Sequence, residues 1–199
     1  EQLELVSKMV HFFRPTQGFH LVADSDAPAG AGISGSSALA IALIGALNRL
    51  VGNRYDARKF ITIAANIETT VIKVPAGFQD YHPAFHGSAS CIHFRPDGIE
   101  REHLSIAPEE IERRFVICYT GEPRNSGINN WDIFKRHIDG DAELFQIFEK
   151  IREAATRMRA ALAANDWSEV GNVMRDPYPN RRRLAPGITT PYMDALVAK

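Results

Sequence analysis

The sequence is short of several things, and each shortage narrows what it can be. Only 2 cysteines occur among 199 residues, Cys91 and Cys118. That excludes a disulfide-stapled scaffold and points to a reducing compartment, the cytoplasm. Both sit in apolar runs, Ser-Ala-Ser-Cys-Ile-His-Phe and Phe-Val-Ile-Cys-Tyr, and both read as buried free thiols in strands. Charge of one sign is scarce as well: the formal net charge is -1, so no global field draws the chain to nucleic acid or to an anionic membrane. No apolar run is long enough to cross a bilayer, and the opening residues lack the pattern of a secretory signal. There is no internal repeat and no low-complexity segment. What remains is an ordinary globular composition, 45% hydrophobic and 24% charged, long enough for one good core or two small ones. The chain starts at Glu1 within one helical pattern and ends at Lys199 within another, so a piece of a longer polypeptide is expected.

Periodicity places the elements. Leu3, Leu5, Val6, Met9, Val10 and Phe13 mark an amphipathic helix over 1–14, closed by Pro15 and Gly18. Phe19–Ala23 alternates like a short strand. A helix from Ser36 to Val51 is apolar on most sides and should be buried, with Gly52-Asn53 as its stop. Asp56 is the expected N-cap of a third helix running to Thr70. A short helix over 79–85 and a strand over 88–95 follow, then a turn at Arg95-Pro96-Asp97-Gly98. The polar stretch 96–112 reads as a crossing between two lobes, and Phe115–Tyr119 as a short buried strand. Later residues are mostly helical: a long helix over 141–164, another over 166–174 and the start of one at 191–198. Trp131 and Trp167 read as packing residues.

The chemistry concentrates between residues 26 and 39, Asp-Ala-Pro-Ala-Gly-Ala-Gly-Ile-Ser-Gly-Ser-Ser-Ala-Leu. Three glycines between a strand and a helix let the backbone bend sharply and approach a ligand. The free N–H groups and positive dipole end of the helix that follows make an anion site. Ser36 and Ser37 add hydroxyls for phosphate or for a metal-bound water. A Walker loop is excluded because no lysine is present. Gly30, Gly32 and Gly35 match the dinucleotide spacing, yet no acidic residue closes a second strand about 20 residues on, as that fingerprint requires. A plain glycine-rich turn with a serine cap stays open from the loop alone.

Pro28-x-Gly30-x-Gly32-Ile33 with Ser36-Ser37-Ala38 close behind resembles the second motif of the GHMP kinases, Pro-x-x-Gly-Leu-Gly-Ser-Ser-Ala, and most of all that of the bacterial heptose-phosphate kinases. Ser34 stands where that family usually has glycine, and Gly35 where it has serine or threonine. A second patch, Gly77-Phe78-Gln79-Asp80-Tyr81-His82-Pro83-Ala84-Phe85-His86-Gly87, is similar to the family's Gly-x-Gln-Asp-Gln-Tyr-x-Ala-x-x-Gly-Gly. A third, Tyr119 to Ser126, is similar to a heptose-kinase segment Thr-Gly-x-x-Arg-x-Ser. The resemblance implies an α+β, two-lobed fold. Residues 1–95 would form the ATP-binding lobe of sheet plus helices, and residues 96–199 a ferredoxin-like C-terminal lobe, both incomplete at the outer end. The family's first and third motifs find no match.

By the same resemblance the chain is an ATP-dependent kinase acting on a hydroxyl of a sugar or sugar phosphate, with ATP and Mg²⁺ as cofactors. Pro28, Gly30, Ala31, Gly32, Ser34, Gly35, Ser36 and Ser37 would hold the nucleotide. Ser36 and Glu68 would hold Mg²⁺, an ion that takes oxygen ligands. Asp80 would orient the acceptor hydroxyl, with Gln79 and Arg124 on the substrate side. Partners beyond ATP and a small-molecule substrate are not expected, neither nucleic acid nor membrane, and oligomerisation is left open. Plainer readings stand beside these: Glu68 as a solvated helix residue, Asp80 as an N-cap, and Arg181-Arg182-Arg183 as a solvated basic run. His82 and His86 have metal-pair spacing, but Pro83 lies between them and no third ligand is near. A non-catalytic ligand-binding relative is the alternative function, and mevalonate-type or homoserine-type acceptors the alternative substrates.

Overall fold

The computed structural model describes residues 4–121, 130–185 and 187–197. Two compact units part at Gly87 and Ser88: Glu1–Gly87 with Gly121–Gly127, and Ser88–Thr120 with Ile128–Lys199. A division at 95/96 would cut a hairpin that begins at Ala89.

The first unit is built from four α-helices, α1 (Glu4–Phe13), α2 (Gly35–Leu50), α3 (Phe60–Ile72) and α4 (Tyr81–His86), with one 3₁₀ turn at Ala57–Lys59. In α1 the apolar residues fall at positions 5, 6, 9, 10, 12 and 13, one stripe of a 3.6-residue period. Met9 and Phe13 from that stripe are fully buried. They meet Ala40, Ile41, Leu43, Ile44 and Leu47 of α2, Ala64, Ala65 and Ile67 of α3, and Tyr81 of α4. The α1 C-terminus is closed by Arg14, which lies at φ 48 and bonds back to the Val10 carbonyl at 2.9 Å. Arg54 Nη1 donates to the Phe13 carbonyl at 3.1 Å, a cation at the negative end of a helix dipole.

The expected stop of α2 forms: Gly52 at φ 78 and Asn53 at φ 57 turn the chain, and the Asn53 N–H reaches the Asn48 carbonyl at 2.7 Å. Asn48, 4% exposed, then ties down the following loop. Its Nδ2 donates to the Tyr55 carbonyl at 3.0 Å, and its Oδ1 accepts the Tyr55 N–H at 2.9 Å. Asp56, the expected N-cap of the third helix, caps the 3₁₀ turn before it, accepting the Arg58 N–H at 2.8 Å, and the N-cap position of α3 itself falls to Lys59.

Phe19–Ala23 does not form the expected strand; residues 14–34 contain no regular element. Leu21 packs against the core, but Phe19 and Val22 face solvent. Local alternation prepares a strand, yet a strand exists only with a ladder partner. Among the described residues the sheet is limited to β1 (Ala89–Arg95) and β2 (Gly98–Leu104), paired antiparallel across Pro96-Asp97. Both belong to the second unit.

That hairpin corrects the reading of 96–112 as a crossing: β2 and a short helix α5 (Pro108–Glu112) occupy it. The remaining helices are α6 (Asn130–Ile138), α7 (Ala142–Ala163), α8 (Trp167–Arg175), α9 (Pro177–Leu184) and α10 (Pro191–Val197). Asp141 and Asp166 cap α7 and α8, accepting N–H groups three residues on at 3.0 Å each. Leu144, Ile147, Ala154 and Ala161 are the buried stripe of α7, with Val170 and Val173 buried on α8.

Phe115–Tyr119 is neither a strand nor buried. Val116 is 93% exposed and Ile117 81%, and the Cys118 thiol is exposed with them. Cys91, by contrast, does lie in a strand and is half-buried. Trp131 is largely exposed and meets Phe134 edge-on, whereas Trp167 lies under the Arg114 guanidinium, 4.4 Å from its ring centre. The four-stranded sheet of a ferredoxin-like lobe is not formed among the described residues. Helices with a small antiparallel sheet make the fold α+β.

Candidate active site

The glycine-rich loop approaches α2 through three left-handed residues at alternate positions. Gly30 lies at φ 73, Gly32 at φ 74 and Ser34 at φ 63. Two of the three are glycine because a Cβ is strained there. The Ala31 N–H bonds the Pro28 carbonyl at 3.2 Å and tightens the first bend. Ser34 occupies the N-cap position of α2, but its side chain makes no cap hydrogen bond, and the first turn carries no acidic residue. The Ala38 N–H takes the Ser34 carbonyl at 3.0 Å. The amides of Gly35, Ser36 and Ser37 precede the first intrahelical bond and have no i−4 carbonyl within α2. An uncapped N-terminus on a 16-residue helix, with no carboxylate of its own, is an anion acceptor in wait.

Ser36 and Ser37 diverge at this point. Ser36 is exposed, while Ser37 is 4% exposed and turned into the core. Ser37 comes within hydrogen-bonding reach of the Tyr81 phenol, and Tyr81 donates to Glu68 Oε2. Glu68 is 8% exposed, so the reading of it as a solvated helix residue is wrong: it lies on the inward face of α3. Burial first, then the neighbouring carboxylate, push the Tyr81 phenol far above its ordinary range, so the phenol keeps its proton and acts as donor. The chain Ser37–Tyr81–Glu68 thus joins the start of α2, the middle of α3 and the start of α4.

Asp80 precedes Tyr81 at the N-cap position of α4, yet makes no side-chain cap bond. Its carboxylate is half-buried and close enough for its charge to act on Tyr81. The reading of Asp80 as a working N-cap is therefore not realised. Gln79 folds its amide back over Gly77, so close that a Cβ at residue 77 would lie 2.6 Å from Nε2. Glycine at that position is what lets Gln79 adopt this pose. His82 and His86 stack at 5.8 Å between ring centres, and no third ligating group joins them among the described residues. Arg124 lies outside the described residues. Arg182 and Arg183 pair with Asp194 and Glu143, as a solvated basic run would. An open groove of about 980 Å³ beside α1 is lined by Lys8, His11, Arg14, Arg54 and Tyr55 among others, and none of the expected site residues contributes to it.

Sequence reasoning missed Tyr81. Motif comparison drew attention to Asp80 and Glu68, and the 13-residue separation of Glu68 and Tyr81 becomes a contact only when α3 and α4 pack. The signal available was a tyrosine next to a motif aspartate where the family pattern has glutamine.

Comparison with known proteins meets this geometry. Over 182 residues the chain is 21% identical to a D-glycero-alpha-D-manno-heptose 7-phosphate kinase of Campylobacter jejuni, covering 87% of this chain and 52% of that protein. Over 173 residues it is 25% identical to glucuronokinase 1 of Arabidopsis thaliana, covering 83% and 47%. Over 191 residues it is 22% identical to the bifunctional fucokinase/GDP-fucose pyrophosphorylase of the same plant, covering 92% and 18%. The chain spans about half the length of the first two relatives. No helix among the described residues is long and apolar enough to cross a membrane. Residues 4–88, which hold the loop and α1 to α4, match the family described as GHMP kinases N terminal domain.

Proposed function

We propose that this chain forms the nucleotide-binding part, and some of the acceptor side, of an ATP-dependent kinase for a hydroxyl of a sugar or sugar phosphate. The observation that carries the reading is the uncapped start of α2 behind the left-handed Gly30, Gly32 and Ser34, tied through Ser37 and Tyr81 to the buried Glu68. Phosphoryl transfer asks a protein mainly for positioning and for neutralisation of charge, and this cluster offers both. Pro28, Gly30, Ala31, Gly32, Ser34, Gly35, Ser36 and Ser37 would line the β- and γ-phosphates.

The donor types fit Mg²⁺: a buried carboxylate and a serine hydroxyl are hard oxygen ligands. Ser36 and Glu68 would hold the ion, which supplies charge neutralisation on the phosphates when bound. Asp80, free of any capping bond, would accept a hydrogen bond from the acceptor hydroxyl and orient its oxygen toward the γ-phosphorus. As the new P–O bond forms and the bond to the β-phosphate breaks, the hydroxyl proton passes to Asp80 or to solvent. A carboxylate is a weak base at neutral pH, so orientation is the larger share.

The acceptor reading leans on charge. Two relatives are named for a heptose 7-phosphate and for glucuronate, both anionic sugars. Gln79 and Arg124 are the substrate-side residues of this proposal, and the second unit, which begins at Ser88, would supply the C-terminal lobe. ATP consumption measured across free sugars, uronic acids and sugar phosphates tests it. An anionic sugar should give turnover, and Asp80→Asn should lower kcat by roughly 10²–10⁴-fold. Equal turnover by the two proteins would remove Asp80 from the mechanism. Nucleotide binding without turnover on any acceptor would favour the non-catalytic relative.

A further inference from the structure

We infer that the hairpin of the second unit carries a binding site for a zinc-class divalent ion, made by Cys91, His93 and Glu102. Strand geometry brings the three together. Residues two apart on a strand share a face, so Cys91 and His93 point the same way. Cys91 pairs directly with Glu102 across the ladder, and His93 with Glu100, which sets the Glu102 carboxylate beside both. The thiol sulfur, one imidazole nitrogen and one carboxylate oxygen all lie within 4.8 Å of one another, and all three residues are half-buried.

The distances suit a small ion. Zinc binds sulfur at about 2.3 Å and nitrogen or oxygen at about 2.0–2.2 Å, so tetrahedral ligand atoms sit roughly 3.3–3.7 Å apart. His93 Nε2 and Glu102 Oε2 are 2.9 Å apart. An ion between them asks that pair to open by a few tenths of an ångström and the sulfur, which lies within 4.8 Å of both, to settle at about 3.6 Å. A supporting shell is already built. Arg159 from α7 grips Glu102 with Nε on Oε2 and Nη2 on Oε1, each at 2.7 Å. Ligating carboxylates are held by such outer partners, which fix their orientation.

The donor set selects the class of ion. A thiolate with an imidazole disfavours Mg²⁺ and Ca²⁺, which take oxygen, and favours zinc and its neighbours. Three protein ligands leave a fourth position open to water. Binding releases the thiol proton, and the neutral His93 ring, with Nε2 turned to the ion, carries its one proton on Nδ1. The site shares no residue with the proposed Mg²⁺ pair, Ser36 and Glu68, so the two readings stand or fall separately.

Cobalt(II) added to the metal-free chain, with no nucleotide present, is the test. The expected result is a sulfur-to-cobalt charge-transfer band with the d–d spectrum of a tetrahedral ion, both bleached by one equivalent of Zn²⁺ and untouched by excess Mg²⁺. Cys91→Ser should abolish the charge-transfer band. His93→Gln, which keeps an amide to meet Glu102, should weaken Zn²⁺ binding by about tenfold or more. Cys118→Ser, which removes the exposed thiol, should change nothing. The inference is overturned by a wild-type chain that gives no band, by a band that survives Cys91→Ser, or by one that disappears with Cys118→Ser. It is overturned too by Zn²⁺ affinity that His93→Gln leaves unchanged while its far-ultraviolet circular dichroism matches wild type.

Discussion

Two glutamates, one in each unit, are held by neighbours in opposite ways. Glu68 is 8% exposed and accepts from Tyr81, a neutral phenol that Ser37 also reaches. Glu102 is half-exposed and meets two groups that can carry positive charge, the Arg159 guanidinium and the His93 ring. Glu102 already has its counter-charge. Among the described residues Glu68 has only hydrogen bonds, in a setting where an uncompensated carboxylate is expensive. A buried carboxylate held without a cation is disposed to take one, and a helix start without an acid is disposed to take an anion. The first unit brings both features together around Ser37, Tyr81 and Glu68. On that contrast the pairing of Glu102 should contribute little to stability, whereas the contact of Glu68 should matter both to folding and to ligand binding.

The sharpest way to break the contrast is Tyr81→Phe. It removes the donor from Glu68 with almost no change of volume, leaving the carboxylate buried and short of a partner. A loss of about 2–3 kcal/mol is expected in urea unfolding, toward the high side because the acceptor is charged. Adding Glu68→Gln to Tyr81→Phe should then cost less than the two single changes summed, since the residues share one interaction. Additive losses would mean that the two do not act together. Asn48→Ala comes next. It deletes two hydrogen bonds to the Tyr55 backbone and leaves that N–H and C=O without partners, for about 2 kcal/mol. The effect should be on unfolding alone, with nucleotide binding intact in the fraction that stays folded.

A smaller effect of opposite sign belongs to the loop. Ser34 lies at φ 63 and makes no capping bond, so its side chain contributes strain without a compensating contact. Left-handed backbone costs an L-residue about 1–2 kcal/mol, and glycine gives back roughly 0.5–1 through a freer unfolded chain. Ser34→Gly should therefore stabilise by about 0.5 kcal/mol. If the Ser34 hydroxyl also meets phosphate, the same variant should bind ATP more weakly while unfolding later. Weaker binding with higher stability would place the hydroxyl at the nucleotide, and unchanged binding would confine Ser34 to backbone geometry.

How much of this could be read in advance depended on whether the cause was local. The helices were legible because a 3.6-residue apolar stripe is written within one segment: α7 was expected over 141–164 and runs Ala142–Ala163. Caps were legible for the same reason, as Asp56 and the Gly52-Asn53 stop attest. Strands were not, because a strand needs a partner that its own residues do not name. Phe19–Ala23 and Phe115–Tyr119 have the right alternation or apolarity and no ladder. Gly98–Leu104 is rich in charge and forms one because the turn at 95–98 folds it onto β1. The turn was recognised, and its consequence was not drawn: pairing mirrored about Pro96-Asp97 sets Glu102 opposite Cys91. In the first unit the resemblance singles out the loop, Glu68 and Asp80, but the phenol set against Glu68 arises from the packing of α3 on α4.

The smallest expected effect lies on the other side of the comparison, at Glu102. Hydrogen bonds from Arg159 first, and from His93 next, lower its pKa to about 2. A carboxylate whose pKa is lower folded than unfolded stabilises the fold at pH values above its unfolded value, about 4.3. That contribution declines as the pH falls from there and is gone below the folded value of about 2. Glu102 faces Arg159, His93 and Cys91 across the hairpin face and α7, so protonation frees the guanidinium. The group is largely solvated, and screening keeps the effect slight. In metal-free buffer, Tm should fall more steeply for wild type than for Glu102→Gln between roughly pH 4.3 and 2, with parallel curves above that range. Added salt should shrink the difference. Parallel curves down to the lowest pH would mean that the Arg159 grip contributes nothing to stability. Its part would then be confined to orienting the carboxylate for the ion, where cobalt binding by Arg159→Ala reads it directly.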